Sequence, residues 1–376
     1  MNIVLLCGSL EPGRDGVGDY VRRLAEELRC QGQQAAGLAL YDPFITQEID
    51  CTAAADTEVP VLRLPASWSA GRRFRRAQQW LKEFQPTWVS LQFVPYAFHP
   101  KGLPLFLGHR LHSVLPAGAR VHIMMHEAWV GAEPGTGLKR QLLRQLQKTL
   151  IKNLIAKLQP AVMHTHLPIY RTRLERLGWQ VKPLPLFSNI PVQPVKQSHS
   201  EPGVVRVGVF SQADTSGPFV DFLTSLATHV AQHRQRCQVL LIGGEPTKMQ
   251  ALGACLETHA ELKGQVYYTG FMQPAQLSIA LQTCQLGLTP VPRHGLGKSG
   301  SVAAFLAHGI PVAAPVVHHG STAVNIGFFS ASLRATIMLE PSIFDLRTAA
   351  KAAQESQLAV QAFTIAKIFW ADLATQ

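Results

Sequence analysis

The stretch that decides the fold is HGLGKSGSVAAFLAHGIPVAAP, residues 294–315. Gly295, Gly297 and Gly300 are interleaved with Lys298, Ser299 and Ser301 just ahead of an apolar helical pattern. That pattern stops at Gly309, and Pro311 opens a strand. The first N–H groups of a helix have no intrahelical partner, and the helix dipole favours negative charge there. Lys298 adds a point charge beside them, so the entry into this helix suits a diphosphate. It is not a Walker A loop, because no glycine stands at the required offset before Lys298 and Ser299. The plainer account is a capped helix with a solvated lysine.

The rest of the chain gives that helix its context. Its 376 residues, 47% of them hydrophobic, are long for one core and comfortable for two domains. Six cysteines without CxxC spacing argue for reduced thiols and against a zinc site. The first residues hold only a short apolar run without a basic flank, so no signal peptide is expected. No apolar segment approaches the roughly 18 residues a membrane span needs. A formal charge of +11 points to an anionic partner: a nucleotide, an acidic lipid surface or a nucleic acid.

Short apolar runs alternate with helical patterns from the start: the run from Ile3 to Cys7, then DYVRRLAEELRCQG, AAGLALYD, TWVSLQFVPYAF, RVHIMMHEAW and PAVMHTH. That alternation predicts a parallel sheet with helices on both faces. A Pro-, Ser- and Gln-rich break follows, read as a linker over 189–202, and a second α/β series begins at VVRVGVFS. The expected organisation is a Rossmann-like domain over 1–188, a second over 203–358, and a terminal helix over 359–376. Open α/β sheets bind ligands at the carboxyl ends of their strands, so the loops there carry the chemistry.

In EPGRDGVGDYVRR (11–23), Gly16 and Gly18 let the backbone approach a ligand, and Asp19 can cap the following helix. A dinucleotide fingerprint, with Asp42 as its acidic partner, fits poorly because the third glycine is missing. In MMHEAW (124–129), His126 and Glu127 follow an apolar strand, where His126 can donate to a phosphate or sugar hydroxyl or act as a base. A satisfied structural histidine is the alternative. His164 and His166 share one side of an extended chain, and no third metal ligand accompanies them. In YYTGFMQP, the turn at Gly270, Phe271 and Met272 offers groups that can meet the edge of a nucleobase.

Taken together, GVGDYVRRLAEEL, LQFVPYAF, MMHEAW, LFSNIP, YYTGF and GLGKSGSVAAFLAHGIPV resemble retaining glycosyltransferases of the GT-B fold, of the kind grouped as family 4. The resemblance spans nearly the whole length. It implies an α/β chain of two Rossmann-like domains facing each other across a cleft, with the acceptor on the first domain and a nucleotide-sugar on the second. It also implies that the terminal helix over 359–376 packs back on the first domain. His126 then lies near the transferred sugar, Gly270, Phe271 and Met272 meet the base and ribose, and Gly18 with Gly297, Lys298, Ser299, Gly300 and Ser301 meets the diphosphate. Gly16, Asp19, Tyr96 and Glu127 fall on the acceptor or sugar side.

Two departures mark a subgroup. Many members carry two glutamates with seven residues between them; counting back from Gly309 and Pro311 places them at Leu296 and Ala304 here. The first loop of the second domain, VFSQADTSGP, lacks the family's usual Arg and Lys. Lys298 with the two serines is the expected substitute, with His126 the other catalytic group and Arg293 a second base nearby. The helix dipole and Lys298 would stabilise the departing diphosphate as its charge grows. Asp-x-Asp occurs nowhere, so no metal and no cofactor is expected.

LKRQLLRQLQKTLIKNLIAKLQ (138–159) carries six cations and no acid, with Leu142, Leu143, Leu146, Leu150, Leu154 and Leu158 on its other face. One reading packs those leucines on the sheet; the other rests the helix on anionic headgroups, which suits a lipid-linked acceptor in envelope or exopolysaccharide synthesis. Nucleic acid is not expected, since few aromatics interleave the cations. The expected location is the cytoplasm, with the basic helix peripheral on the inner membrane face. A catalytically degenerate nucleotide-sugar-binding protein, or a nucleotide-sugar epimerase or hydrolase, is the alternative function.

Overall fold

A computed structural model describes residues 2–51, 59–130, 137–194, 201–317 and 331–376. Its contacts divide the chain into two units, Met1–Leu184 with Ala366–Gln376, and Pro185–Ile365. Among the described residues no helix is long and apolar enough to cross a membrane.

The strands of the first unit are β1 (Asn2–Cys7), β2 (Gln34–Asp42), β3 (Ile49–Cys51), β4 (Val61–Pro65), β5 (Trp88–Phe93), β6 (Arg120–Met125), β7 (Val162–Thr165) and β8 (Lys182–Pro183). They form one sheet in the order β3-β4-β2-β1-β5-β6-β7-β8, parallel except where β3 runs against β4. The strand order reverses between β1 and β5, the arrangement of a doubly wound sheet. Strands such as β1, β4 and β5 are buried along nearly their whole length because helices cover both faces.

The helix Gly16–Cys30 shows how local sequence sets this packing. It buries Tyr20, Val21, Leu24, Ala25 and Leu28, one face at helical spacing. Its N-cap is Asp15, whose carboxylate accepts from Val17 N at 3.1 Å. Asp19, expected as the cap, lies one turn in and accepts from Gly13 N at 3.0 Å, bracing the loop instead. Gly18 faces the end of β1 so closely that a Cβ there would sit 2.5 Å from the Ser9 carbonyl oxygen. A packing requirement therefore accounts for that glycine.

The basic helix, Leu138–Leu158, follows neither reading of its leucines along its full length. Ile151, Leu154, Ile155 and Leu158 are buried, whereas Leu138, Leu142 and Leu146 are exposed. Only its second half lies on the unit's core.

The second unit contains β9 (Val204–Phe210), β10 (Arg236–Ile242), β11 (Val266–Tyr268), β12 (Leu286–Leu288), β13 (Val312–Ala313) and β14 (Ile337–Met338). They pair in parallel in the order β11-β10-β9-β12-β13-β14. This is again the doubly wound order, reversing between β9 and β12. Two strand glycines position the helix Gly300–Ala307. A Cβ on Gly287 would lie 2.4 Å from the Phe305 ring, and one on Gly208 would lie 3.1 Å from it. Phe305, fully buried, thus drops into a notch that only glycines leave open and fixes the helix on β9 and β12.

Candidate functional site

In the second unit, four loops open at the carboxyl ends of the neighbouring strands β11, β10, β9 and β12. After β9, Ser211 has φ +67°, a left-handed conformation uncommon for a serine. After β10, Gly243 and Gly244 both have positive φ, and a Cβ on Gly244 would meet the Ser211 carbonyl oxygen at 2.8 Å. Thr269 after β11 joins the next loop to them: its Oγ1 accepts from Gly243 N at 3.3 Å and donates to Gly270 O at 3.0 Å. Gly270 has φ +67°, and Phe271 beyond it is 87% exposed, with Met272 half-buried. The connected backbone turns and the bare ring form a surface on which a flat heterocycle can stack.

After β12 the chain makes a short 3-10 turn, Arg293–Lys298, and enters the helix Gly300–Ala307. Ser299 caps it, its Oγ accepting from Val302 N at 3.4 Å and lying 3.0 Å from Ser301 Oγ. Lys298 is exposed, while Gly297 is buried. Arg293 is spent on the loop itself, donating from Nε to Ala314 O at 3.0 Å. The loop therefore presents Lys298, Ser301 and the opening N–H groups of the helix at the point where the strand order reverses, the place such sheets bind ligands. Leu296 and Ala304 are almost wholly buried in the apolar cluster around Phe305. A carboxylate at either position would lie inside that cluster, where its burial would be costly.

The first unit keeps its polar groups inside. Period-2 alternation sets Ser90 and Gln92 of β5, His122 of β6 and His164 of β7 on one face, continued by His126 and His166 just past β6 and β7. They form a continuous hydrogen-bonded chain. His166 Nδ1 donates to Leu184 O at 2.8 Å, and its Nε2 lies 3.1 Å from His126 Nδ1. His126 Nε2 lies 2.9 Å from Gln92 Oε1, Gln92 Nε2 lies 2.6 Å from Ser90 Oγ, and Ser90 Oγ lies 2.7 Å from His122 Nδ1. His122 Nε2 lies 2.9 Å from His164 Nδ1, whose Nε2 lies 3.0 Å from Asp372 Oδ2. Asp372 belongs to the last helix, Ala362–Ala374, and also pairs with Lys182; Phe369 of that helix packs edge-on against His122.

Seven contacts join Leu184 to Asp372 through six groups. The four neutral imidazoles and the Ser90 hydroxyl each give the chain one proton, and the Gln92 amide directs one into it. Six protons thus serve seven contacts, and His126 Nε2 faces Gln92 Oε1 without one. Burial holds His122 and His126 well below the ordinary histidine value, and neighbouring imidazoles push the same way. Burial lowers His164 as well, against the opposing pull of Asp372.

His126 is therefore not the outward-pointing group expected at the end of β6. It is 7% exposed, both ring nitrogens are engaged, and Tyr20 packs edge-on against it at 5.0 Å. Sequence reasoning missed Ser90, Gln92 and His122, although polar residues inside the otherwise apolar β5 were the available signal. The other sites on this unit are dispersed. Gly16 opens the first helix and is exposed, Tyr96 is 44% exposed, and Glu127 is half-buried. Asp42 is wholly buried, accepting from Arg63 Nε at 2.8 Å, Ser9 Oγ at 3.1 Å and Leu10 N at 3.2 Å, so it is not available to a ribose. Among the described residues no group of three or more His, Cys, Asp or Glu could hold a metal ion.

No protein-family model and no curated protein matches the chain. Solved structures do. Sucrose-phosphate synthase from Thermosynechococcus elongatus has a TM-score of 0.65 at 16% identity, with all of both chains covered. HepE (Alr3699) of Anabaena, solved in complex with UDP, has a TM-score of 0.61 at 14% identity, again over all of both chains. A putative UDP-N-acetylglucosamine 2-epimerase from Listeria monocytogenes has a TM-score of 0.52 at 10% identity, over 99% of this chain and 95% of that one. The fold is that of the GT-B proteins. It is α/β, built from two Rossmann-like units.

Proposed function

We propose that the protein is a retaining glycosyltransferase that moves a sugar from a nucleoside-diphosphate sugar to a hydroxyl acceptor without a metal ion. The observation that carries this reading is the loop after β12. There Lys298, Ser301 and the opening turn of the helix Gly300–Ala307 stand at the strand-order reversal of a Rossmann-like sheet. Growing charge on a departing diphosphate is what such a cradle stabilises, while the sugar passes through an oxocarbenium-like state. The departing phosphate takes the acceptor's proton. Gly270, Phe271 and Met272 receive the base and ribose. The first unit takes the acceptor, a saccharide or lipid-linked molecule of envelope or exopolysaccharide synthesis. The exposed leucines and cations of the basic helix favour work at the cytoplasmic face of a membrane. For His126 to reach the sugar, its Nε2 must exchange Gln92 for a sugar hydroxyl.

Fold likeness to a putative epimerase favours a second reading, in which a nucleotide-sugar is isomerised or hydrolysed. The apolar residues at Leu296 and Ala304 favour a third, a binding protein without turnover. Thermal unfolding against UDP, GDP, ADP, dTDP and CMP, with magnesium and with EDTA, separates these from the start. A ligand at one hundred times its dissociation constant adds about 2.7 kcal/mol. The expected result is a shift with one diphosphate that EDTA leaves unchanged, followed by transfer to an added acceptor. Loss of the shift in EDTA overturns the metal-free mechanism; a shift without transfer or isomerisation leaves the binding protein.

A further inference from the structure

We propose that the first unit carries a binding site for an anionic amphiphile, a phosphate or carboxylate head on a hydrocarbon chain. A cavity of about 330 Å³ opens between the end of β2 and the segment after β5, within the size range of small-molecule sites. Its walls are Leu40, Phe74, Phe98 and the turn Pro104–Leu107, and its polar groups come from Tyr41, Arg73, His99 and Arg110. No carboxylate lines it.

Arg73 is the main sign that something is missing. It is only 9% exposed, and its Nη1 donates to Ala66 O at 2.8 Å and to Trp68 O. Its Nε is buried and has no hydrogen-bond partner among the described residues. A buried guanidinium with an unmet donor and no carboxylate against it is costly unless an anion completes it. Its charged neighbour is another cation: burial lowers Arg73 below the ordinary arginine value, and Arg110 adds to that. The two guanidiniums lie over aromatic faces, Arg73 over Tyr41 at 5.0 Å and Arg110 over Phe74 at 6.0 Å. His99 Nδ1 accepts from the N–H groups of Lys101 and Leu103, which puts its ring proton on Nε2 and adds a third donor. Apart from the Tyr41 hydroxyl and His99 Nδ1, which the backbone already occupies, the polar side-chain groups of the lining are donors.

The apolar part of the ligand follows from the turn that closes the cavity. Leu105 is 57% and Phe106 65% exposed, and Phe106 is held at φ +60°, a conformation rare for a bulky residue. The same Pro104–Leu107 turn walls a second groove, which runs to Leu150 and Leu154 of the basic helix. Leu146, Leu142 and Leu138 continue that line at intervals of four residues, all exposed. A head in the first cavity would thus lead its chain along an apolar track of leucines on the basic helix. In the glycosyl-transfer reading, on which only this assignment rests, the site is where an amphipathic acceptor binds.

The test is calorimetric titration of the full chain with dodecyl phosphate below its micelle concentration, beside dodecanol and inorganic phosphate. Dodecyl phosphate should bind at least tenfold tighter than either. Arg110→Gln, at an exposed position, should weaken it at least tenfold, and Arg73→Gln should do the same if it folds. Equal binding of dodecanol would reduce the site to an apolar patch, and equal binding of inorganic phosphate to an anion pocket. Either result, no binding at all, or an indifferent Arg110→Gln overturns the proposal. Nucleotide-induced unfolding shifts, read on the same samples, test the second unit separately, so the transfer reading can fail while this site stands.

Discussion

The two sheets share one strand order yet treat ionisable groups in opposite ways. The first unit sinks them: Asp42, Arg63, His122, His126 and His164 are all buried. Among the described residues of the second unit, no Asp, Glu, Lys or Arg is buried, and His308 is the one buried titratable ring apart from its cysteines. That unit holds Lys298 at the surface of a loop. The first unit thus sinks charge into its interior, while the second keeps its described charges at or near the surface. Stability of the one should respond to broken pairs and acid, and function of the other to single exposed side chains.

The largest effect should come from the buried pair. Burial alone would raise the Asp42 carboxyl, but Arg63 and the N–H groups of Leu10 and Phe44 outweigh it and hold it below the ordinary value. Arg63→Leu leaves that carboxylate buried without its counter-charge, a loss of about 3–5 kcal/mol. All six tryptophans lie in the first unit, so their fluorescence during urea unfolding reads that unit alone. A loss under about 1 kcal/mol would mean that the interior tolerates an unpaired charge. Close behind, Lys298→Ala should lower transfer about 100- to 1,000-fold, the cost of one transition-state donor. Its melting curve should not move, and unchanged transfer would remove Lys298 from the diphosphate site.

Those two positions differ in how far the sequence disclosed them. The loop around Lys298 is legible because glycine, serine and lysine before an apolar helix form a local pattern, and all its parts come from one segment. The alternating strands are legible for the same reason, since a buried parallel strand reads as a short apolar run. The histidine chain is not. His164 and His166 advertise a shared side, but their partners come from β5, β6 and a helix more than 200 residues further on. The helix cap shows a smaller version of the limit. Asp15 and Asp19 are equally good acceptors, and only the backbone turn at Gly16 decides between them. In the basic helix, periodicity defines the leucine face without saying where the covering core ends.

Acid sharpens the comparison next. His122, His126 and His164 all have folded values lowered by burial, whereas unfolded histidine titrates near 6.5. The folded state refuses protons that the unfolded chain accepts. Their contribution is therefore complete above about pH 6.5 and lost as pH falls below it, by up to about 1.4 kcal/mol per pH unit for each ring. In the second unit His308 adds a loss of this kind, its ring lowered by burial. Tryptophan fluorescence should accordingly report a steeper fall in stability between pH 6.5 and 5 than far-ultraviolet dichroism reports for the whole chain. Parallel curves would show that His122, His126 and His164 are not held neutral as a connected chain.

The smallest effect belongs to the most exposed ring. Phe271 is 87% exposed, so Phe271→Ala should leave stability within about 0.5 kcal/mol. If a nucleobase stacks on it, removal costs about 1 kcal/mol of binding, roughly a fivefold weaker nucleotide. Gly270 provides an internal control, because its positive φ makes Gly270→Ala a backbone change with open space around the new methyl. Phe271→Ala should weaken the nucleotide without moving the melting point, whereas Gly270→Ala should move both. A nucleotide indifferent to Phe271→Ala but lost with Gly270→Ala would mean that the turn meets the base through its backbone and the ring lies outside the contact.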